Sequence, residues 1–264
     1  MLLWEKVGQE RKESEEMKRL TRVQRKKRRQ KIFFRIILLI AILALVFALI
    51  FKSDFFLISN INVEGNYIIT KEEIISRSGI DIGGHIFRYT RYESEEKIRK
   101  LSYIKDVTIK RNLPKSVNIF LEERQAYLQF NHLSSYILVD DEGFILEIKE
   151  NKVRDLAIFK GFNIDKPTGD NILEEDVIKD LEAFIADEDT RDIVRKMNEI
   201  QYEDEDNINI ILNNGINVAF GHLSNVKYKL ILLNNIVSHI EENQIDTDTI
   251  LMNKGENPII ITND

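Results

Sequence analysis

A run of sixteen consecutive apolar residues, Ile36–Phe51, sets what the rest of this chain can be. Ile32, Phe33 and Phe34 extend it to twenty positions, with Arg35 as the single interruption. Twenty helical residues at about 1.5 Å each cover the roughly 30 Å hydrocarbon core of a bilayer. A buried core helix of this length would be flanked by amphipathic sequence. Here a basic block precedes the run and Lys52-Ser53-Asp54 follows it. Length and uniform apolarity predict one membrane span over residues 32–52.

The flanks predict its orientation. Residues 1–35 hold thirteen Lys and Arg against five Glu, a net +8, while the whole chain carries −6, so the remainder carries −14. Lys and Arg beside a span stay on the cytoplasmic side. Residues 1–31 are therefore expected as a basic cytoplasmic segment, partly helical or disordered, with everything after the span outside the cell membrane. A cleavable signal peptide would have a shorter apolar core and a small-x-small site. Phe51-Lys52-Ser53-Asp54-Phe55-Phe56 offers none, so the span reads as an uncleaved anchor with Phe55-Phe56 at the outer interface. Arg25-Lys26-Lys27-Arg28-Arg29 has the composition of a nucleic-acid patch. Next to a span, topology and attraction to anionic lipid explain it with fewer assumptions, and no nucleic-acid partner is expected.

The external part lacks cysteine, as does the whole chain, so it must be stabilised by its core rather than by disulfides. Ile61 and Val63 alternate with polar neighbours up to Gly65-Asn66, the mark of a half-buried strand. Thr70-Lys71-Glu72-Glu73 has the capping-box pattern, and Gly79 can close the short helix that follows. Ser94 is expected to cap a second helix with Ile98, Leu101 and Ile104 on its apolar stripe. Val107 and Ile109 then alternate into Lys110-Arg111, Leu113-Pro114-Lys115 turns, and Val117, Ile119 and Leu121 return. The order strand, helix, helix, strand, strand over residues 56–126 predicts a small module in which a sheet covers two helices.

Residues 127–262 predict a second, mixed β-sheet domain with two helices, making the fold α+β. Tyr136–Val139 and Phe144–Ile148 flank Asp140-Asp141-Glu142-Gly143 as a hairpin. A cation site of clustered carboxylates is the rival reading of that loop, but the calcium-loop spacing is absent. A helix from Glu174 to Ala186 would bury Val177, Leu181, Phe184 and Ile185. Ile208–Leu212 and Ile216–Phe220 flank Asn213-Asn214-Gly215, the strongest hairpin signal in the chain. A helix over about Asn225–Glu241 would bury Tyr228, Ile231, Leu232, Ile236 and Ile240. Ile250-Leu251-Met252 and Ile259-Ile260-Ile261 are the final strands, and Pro258 at the start of the last one fits a sheet edge.

These residues carry a resemblance. The run Phe56–Ala126 resembles a POTRA domain placed just outside an anchor, with I-x-V-x-G-N (Ile61–Asn66), T-x-E-E-I (Thr70–Ile74), G-x-x-x-G (Gly79, Gly83), V-x-I-K-R-x-x-P (Val107–Pro114) and E-R-x-A (Glu123, Arg124, Ala126). Together with L-V-D-x-x-G (Leu138–Gly143) and Lys229-Leu230-Ile231-Leu232-Leu233, the ordering is similar to the FtsQ/DivIB family of bacterial cell-division proteins. Leu156–Gly161 falls where that family has a further strand, and Gln125 and Ala157 stand where it has proline. With Asp264 as its last residue, the chain is expected to lack the long flexible third segment of many DivIB proteins. The resemblance implies a scaffold at the division septum. Its second domain would engage the ectodomains of FtsL and DivIC/FtsB homologues near its C-terminal end, helping to assemble septal peptidoglycan synthesis.

Catalytic chemistry finds little support. His85, His132, His222 and His239 are scattered without metal-ligand spacing, and no serine sits in a G-x-S-x-G elbow or beside an S-x-x-K lysine. The expectation is a non-enzymatic scaffold with no catalytic residue, cofactor or metal. Ile250, Met252, Asn253, Ile259, Ile260 and Ile261 are its candidate partner-binding face, through pairing at a sheet edge. Ile109, Lys110 and Arg111 are the contact candidates on the POTRA-like module. The rival classes are a POTRA-bearing transport or secretion component, and a cell-wall-binding or wall-remodelling protein.

Overall fold

The computed structural model describes residues 2–174, 181–254 and 257–262. The chain forms two compact units. One gathers the N-terminal helix and the chain to Asn60 with residues 82–88 and 112–116; the other holds residues 61–81, 89–111 and the chain from Val117 on.

In the first unit, helix α1 runs unbroken over Leu2–Lys52. Its part Lys27–Lys52 spans 26 residues, and an 18-residue window within it has a mean hydropathy of 3.1, with no protein covering that window. The large apolar side chains from Ile32 to Leu49 are 45 to 68% exposed. Such a surface is costly in water and favourable among lipid tails, and a helix satisfies its own backbone there. This N-terminal apolar helix fits single-pass membrane anchoring. It stops at Lys52, where Ser53 caps a 3-10 turn over Asp54–Phe56 by accepting from the Phe55 amide at 3.1 Å.

The second unit begins with the three-stranded module. Its elements are β1 (Asn60–Glu64), α2 (Lys71–Ser78), α3 (Arg91–Arg99), β2 (Ile104–Asn112) and β3 (Ser116–Glu123), and the sheet order is β1-β3-β2. The Thr70 hydroxyl accepts from the Glu73 amide at 3.3 Å, and Gly79 closes α2 at φ 68°, as the motif predicts. The second helix starts earlier than expected. Thr90 holds the N-cap position without a side-chain bond, and Ser94 lies buried inside α3. The small hydroxyl at 94 serves inward packing, not capping. Ile61, Ile74, Ile80, Ile98, Val107, Ile109, Val117 and Ile119 are all buried.

A nine-stranded sheet follows, made of β4 (Leu128–His132), β5 (Ser135–Val139), β6 (Ile145–Lys149), β7 (Ala157–Lys160), β8 (Met197–Asp204), β9 (Asn207–Leu212), β10 (Asn217–Ala219), β11 (Thr247–Leu251) and β12 (Ile259–Thr262). Its order is β12-β11-β10-β9-β8-β7-β4-β5-β6, parallel at β4/β7, β7/β8 and β10/β11 and antiparallel elsewhere. The helices α4 (Glu182–Ile185), α5 (Arg191–Arg195) and α6 (Val226–Asn243) contribute to one core with the sheet. The fold is α+β. Phe130 stacks on Phe159 at 5.2 Å, Phe184 meets Phe159 at 5.8 Å, and Phe220 meets Phe184 at 5.6 Å. Each such buried ring contributes about 1.5–3 kcal/mol relative to exposure.

Both helix expectations need adjustment. The first is helical over Glu182–Ile185, with Leu181, Phe184 and Ile185 buried, and Val177 lies outside the described residues. The short α5 was not anticipated. In α6 the buried face is Val226, Leu230, Leu233, Val237 and Ile240, whereas Tyr228 is 65% exposed. Four apolar residues in succession, Leu230–Leu233, leave the helix without a single stripe, so packing on the sheet selects its rotation.

Candidate functional site

The carboxylates that could suggest chemistry are engaged elsewhere. Asp140, 2% exposed at its side chain, accepts from Arg124 Nη1 at 2.5 Å, and Glu142 accepts from the same nitrogen at 2.7 Å. The other Asp140 oxygen accepts from the Glu142 and Phe144 amides at 3.0 and 2.7 Å, while Gly143 takes φ 85°. Asp141 pairs with Arg191 at 2.8 Å. This is a hairpin turn with ion pairs, not a cation cage. Among the described residues no group of three or more His, Asp or Glu is placed to hold a metal ion.

The pair Glu123-Arg124, noted as a sequence motif, joins the two parts of this unit with opposite duties. The Glu123 carboxylate accepts from the amides of Tyr67, Ile68 and Ile69 at 2.9, 2.7 and 3.0 Å, fixing the loop after β1. Arg124 turns the other way, onto Asp140 and Glu142, with its guanidinium 3.7 Å from the centre of the Phe144 ring. Lys105 adds a contact to Glu142 at 2.9 Å. These hydrogen bonds, Lys105 first and Arg124 second, hold the Glu142 carboxyl below its ordinary pKa. No periodicity signals these roles; only the short E-R motif points to them.

The nine-stranded sheet has two ends, and they are treated differently. At β6, Ser102 Oγ donates to the Leu146 carbonyl at 2.6 Å and Tyr103 donates to Glu147 Oε2 at 2.8 Å. Burial, aided by Glu147, pushes the Tyr103 phenol above its ordinary pKa. That edge is occupied by the preceding module. At the opposite end lies β12, and among the described residues no strand pairs with its outer edge. An end strand presents unpaired amides and carbonyls along its length.

The sequence candidates at this end separate by depth. Ile250, on β11, is fully buried, and Met252 is 7% exposed, so both belong to the core beneath the edge. Ile260 pairs with Ile250 and packs against that core. Ile259 and Ile261 point to the other face and are 48 and 45% exposed. Asn253 is exposed at the β11–β12 turn, where its Cβ would lie 2.7 Å from a Cβ at Gly221. A groove of about 680 Å³ runs beside this turn, lined in part by Tyr228, Lys229, Met252, Asn253 and Pro258. Lys229 Nζ donates to the His222 carbonyl at 2.8 Å and lies 4.3 Å from the Phe220 ring centre, and burial lowers its pKa. Tyr228 and Lys229 were not among the candidates. Their place on the core helix masked them.

On the smaller sheet, Ile109 is buried and its amide donates to Glu95 Oε1 at 2.7 Å, so α3 covers the β2 edge at that point. Lys110 is exposed, 5.2 Å from the Phe120 ring centre. Arg111 donates to the Tyr89 carbonyl at 2.6 Å and stacks 4.6 Å from its ring centre.

Comparison with known proteins addresses the whole arrangement. Residues 56–124 match the POTRA domain of FtsQ type, and residues 126–250 match the C-terminal domain of the cell division protein FtsQ/DivIB. The DivIB of Clostridium acetobutylicum is 36% identical over 41% of this chain, which spans 44% of that relative's length. The DivIB of Clostridium botulinum is 28% identical over 82% of this chain and 86% of its own. The DivIB of Clostridium tetani is 30% identical over 67% of this chain and 69% of its own. A solved extracytoplasmic DivIB domain from Geobacillus stearothermophilus, 20% identical over 46% of this chain and 98% of its own, aligns with a TM-score of 0.33, too low to bear on the fold. Matches in sequence to both domains in order, and to a relative of this length, place the chain in the FtsQ/DivIB family of bacterial cell-division proteins.

Proposed function

We propose that this protein is a non-enzymatic scaffold of the division machinery, held by one membrane span with its N-terminus in the cytoplasm and its folded part outside, at the septum. Its partners are the ectodomains of FtsL and DivIC/FtsB homologues, and capture proceeds by addition of a partner strand to β12. The observation that carries the reading is the asymmetry of the large sheet: β6 is occupied by Ser102 and Tyr103, while β12 ends the sheet with its outer edge uncovered among the described residues. Backbone pairing supplies affinity there, and Ile259 and Ile261, exposed on one face, supply selectivity. Ile250, Met252 and Ile260 support the edge from beneath. The cationic block at residues 25–29 supports the orientation.

The test is capture of the FtsL and DivIC homologues by the tagged full chain from its own membranes. The double variant Ile259→Lys with Ile261→Lys leaves the buried residues untouched and is expected to lose the pair. Ile260→Pro is expected to lose it as well, with β9 amide protection retained in both. Capture that survives both variants overturns edge pairing at β12. Failure of the unmodified chain to capture either homologue overturns the partner assignment itself.

A further inference from the structure

Just past the end of α1, the first unit builds a surface with an unusual composition. The segment 82–88 is tied directly to the chain that leaves the helix. Ile58 donates to Gly84 and Gly83 donates to Ile58, at 2.8 and 2.7 Å, and Ile86 donates to Phe56 at 2.9 Å. His85 reaches further back. Its ring nitrogen Nε2 lies 3.1 Å from the Ile50 carbonyl, and its ring stacks on Phe51 at 5.4 Å between centres. A side chain that touches the last turn of the apolar helix sits at the level of the bilayer surface wherever that helix spans a membrane. The segment 112–116 is anchored to the same stretch, since Ser59 donates to the Lys115 carbonyl at 2.8 Å.

What these segments display is apolar tips beside cations. Phe55, Ile82 and Leu113 are 58, 67 and 55% exposed. Lys52, Arg88 and Lys115 are exposed in the stretches 52–60, 82–88 and 112–116 of this unit, against the single carboxylate of Asp54 there. Three large apolar side chains turned to water next to a span would be a liability in a purely aqueous setting. At the boundary of acyl chains and headgroups the same set is favourable, because the apolar tips enter hydrocarbon while Lys and Arg reach phosphate oxygens.

We infer that the loops bearing Ile82 and Leu113, with Phe55, form a second membrane contact that inserts into the leaflet on the C-terminal side of the span and binds anionic phospholipid. This rests on α1 being a membrane span. The contact is fixed by the Gly83, Gly84 and His85 bonds rather than by a flexible tether. The anchor therefore meets the bilayer as helix plus foot.

The chain has no cysteine, so single labelling sites are clean. Ile82→Cys, Leu113→Cys and Leu43→Cys, each made in the full chain, are labelled with bimane and placed in phosphatidylglycerol nanodiscs. The discs carry doxyl lipids with the quencher either just below the phosphate or at the acyl-chain end. The Leu43 label is expected to lose fluorescence to the deep quencher, reporting the span. The Ile82 and Leu113 labels are expected to lose fluorescence to the shallow one. If Leu43 is quenched while either loop label keeps its fluorescence, the foot is wrong and the span stands. If Leu43 is not quenched, both are overturned. Shallow quenching is expected to weaken in phosphatidylcholine discs and in the Arg88→Gln, Lys115→Gln double variant. Equal quenching in all of these would overturn the phosphate contact.

Discussion

Arg124→Ala tests whether the joint between the small module and the large sheet is a buried latch or a surface ion pair. The Arg124 side chain is 11% exposed and that of Asp140 2%, so removal of the guanidinium strands a carboxylate in the interior. Breaking such a pair from one side costs about 3–5 kcal/mol. Two facts pull the figure to the low end. Asp140 keeps the Glu142 and Phe144 amides on its other oxygen. Glu142 is 43% exposed and keeps Lys105 at 2.9 Å, so its share is screened and below about 1 kcal/mol. Stacking on Phe144 at 3.7 Å adds about 1 kcal/mol in a partly desolvated setting. The sum is a loss of about 4 kcal/mol. The assay is urea unfolding of the full chain in mild detergent, run as a cycle with Asp140→Asn. Neutralising Asp140 removes the stranded charge, so the double variant is expected to fall short of the sum of the singles by about 2 kcal/mol. A single-variant loss under about 1 kcal/mol, or a coupling near zero, would place the pair among ordinary surface contacts and refute the latch.

The same cluster predicts an acid response. Glu142 has its carboxyl pKa depressed by Lys105 and then Arg124, so its stabilisation is present above the unfolded glutamate value and is lost as pH falls through the lower folded value. Unfolding midpoints measured across that acid range should fall less steeply for Lys105→Ala than for the unmodified chain; equal slopes would remove Glu142 from the account. Gly161→Ala places a Cβ 1.8 Å from the Tyr202 carbonyl at φ 96°, which the β7–β8 pairing cannot absorb. Thermal unfolding should show a loss above about 2 kcal/mol, and a change within about 0.5 kcal/mol would contradict the geometry. Gln129→Leu removes the partner of the Val153 amide and of the Val153 and Leu156 carbonyls. A loss of about 1–3 kcal/mol is expected, with faster hydrogen exchange at the Val153 amide. Unchanged exchange there would mean that water replaces the side chain.

What could be read from the chain and what could not follow from local periodicity. The N-terminal apolar helix, the Thr70 cap, the Asn213-Asn214-Gly215 hairpin and the alternation Ile208, Ile210, Leu212 are local signals, and each appears as expected. Strand β8 escaped because its pattern is broken for a physical reason, and β4 because its alternation offers only two apolar positions, Leu128 and Phe130. In β8 a register shift between Met197 and Glu199 puts the buried Met197 and Ile200 three apart instead of two. In β4 the fully buried Gln129 sits between Leu128 and Phe130 and reads as polar, although its amide is satisfied by the loop at Val153 and Leu156. The rotation of α6 and the depth of Ile250 and Met252 are decided by packing between distant segments, which no window of sequence contains.

The candidate edge illustrates how a local signal gains meaning from its surroundings. Pro258 before Ile259-Ile260-Ile261 marks an edge strand, but an edge alone says nothing about use. Edges are hazards, and a chain covers those it does not need. This chain spends Ser102 and Tyr103 on β6 and Glu95 on the Ile109 amide of β2. It spends nothing comparable, among the described residues, on β12, and it leaves two isoleucines exposed there without a charged guard at 259, 260 or 261. A protein with that edge uncovered would meet unwanted strands unless a resident partner covered it. The same reasoning predicts that the Ile259→Lys, Ile261→Lys variant, in the absence of partners, self-associates less than the unmodified chain in detergent, measured by sedimentation. Equal self-association would mean that the edge is already guarded, and that β12 is not where a partner strand adds.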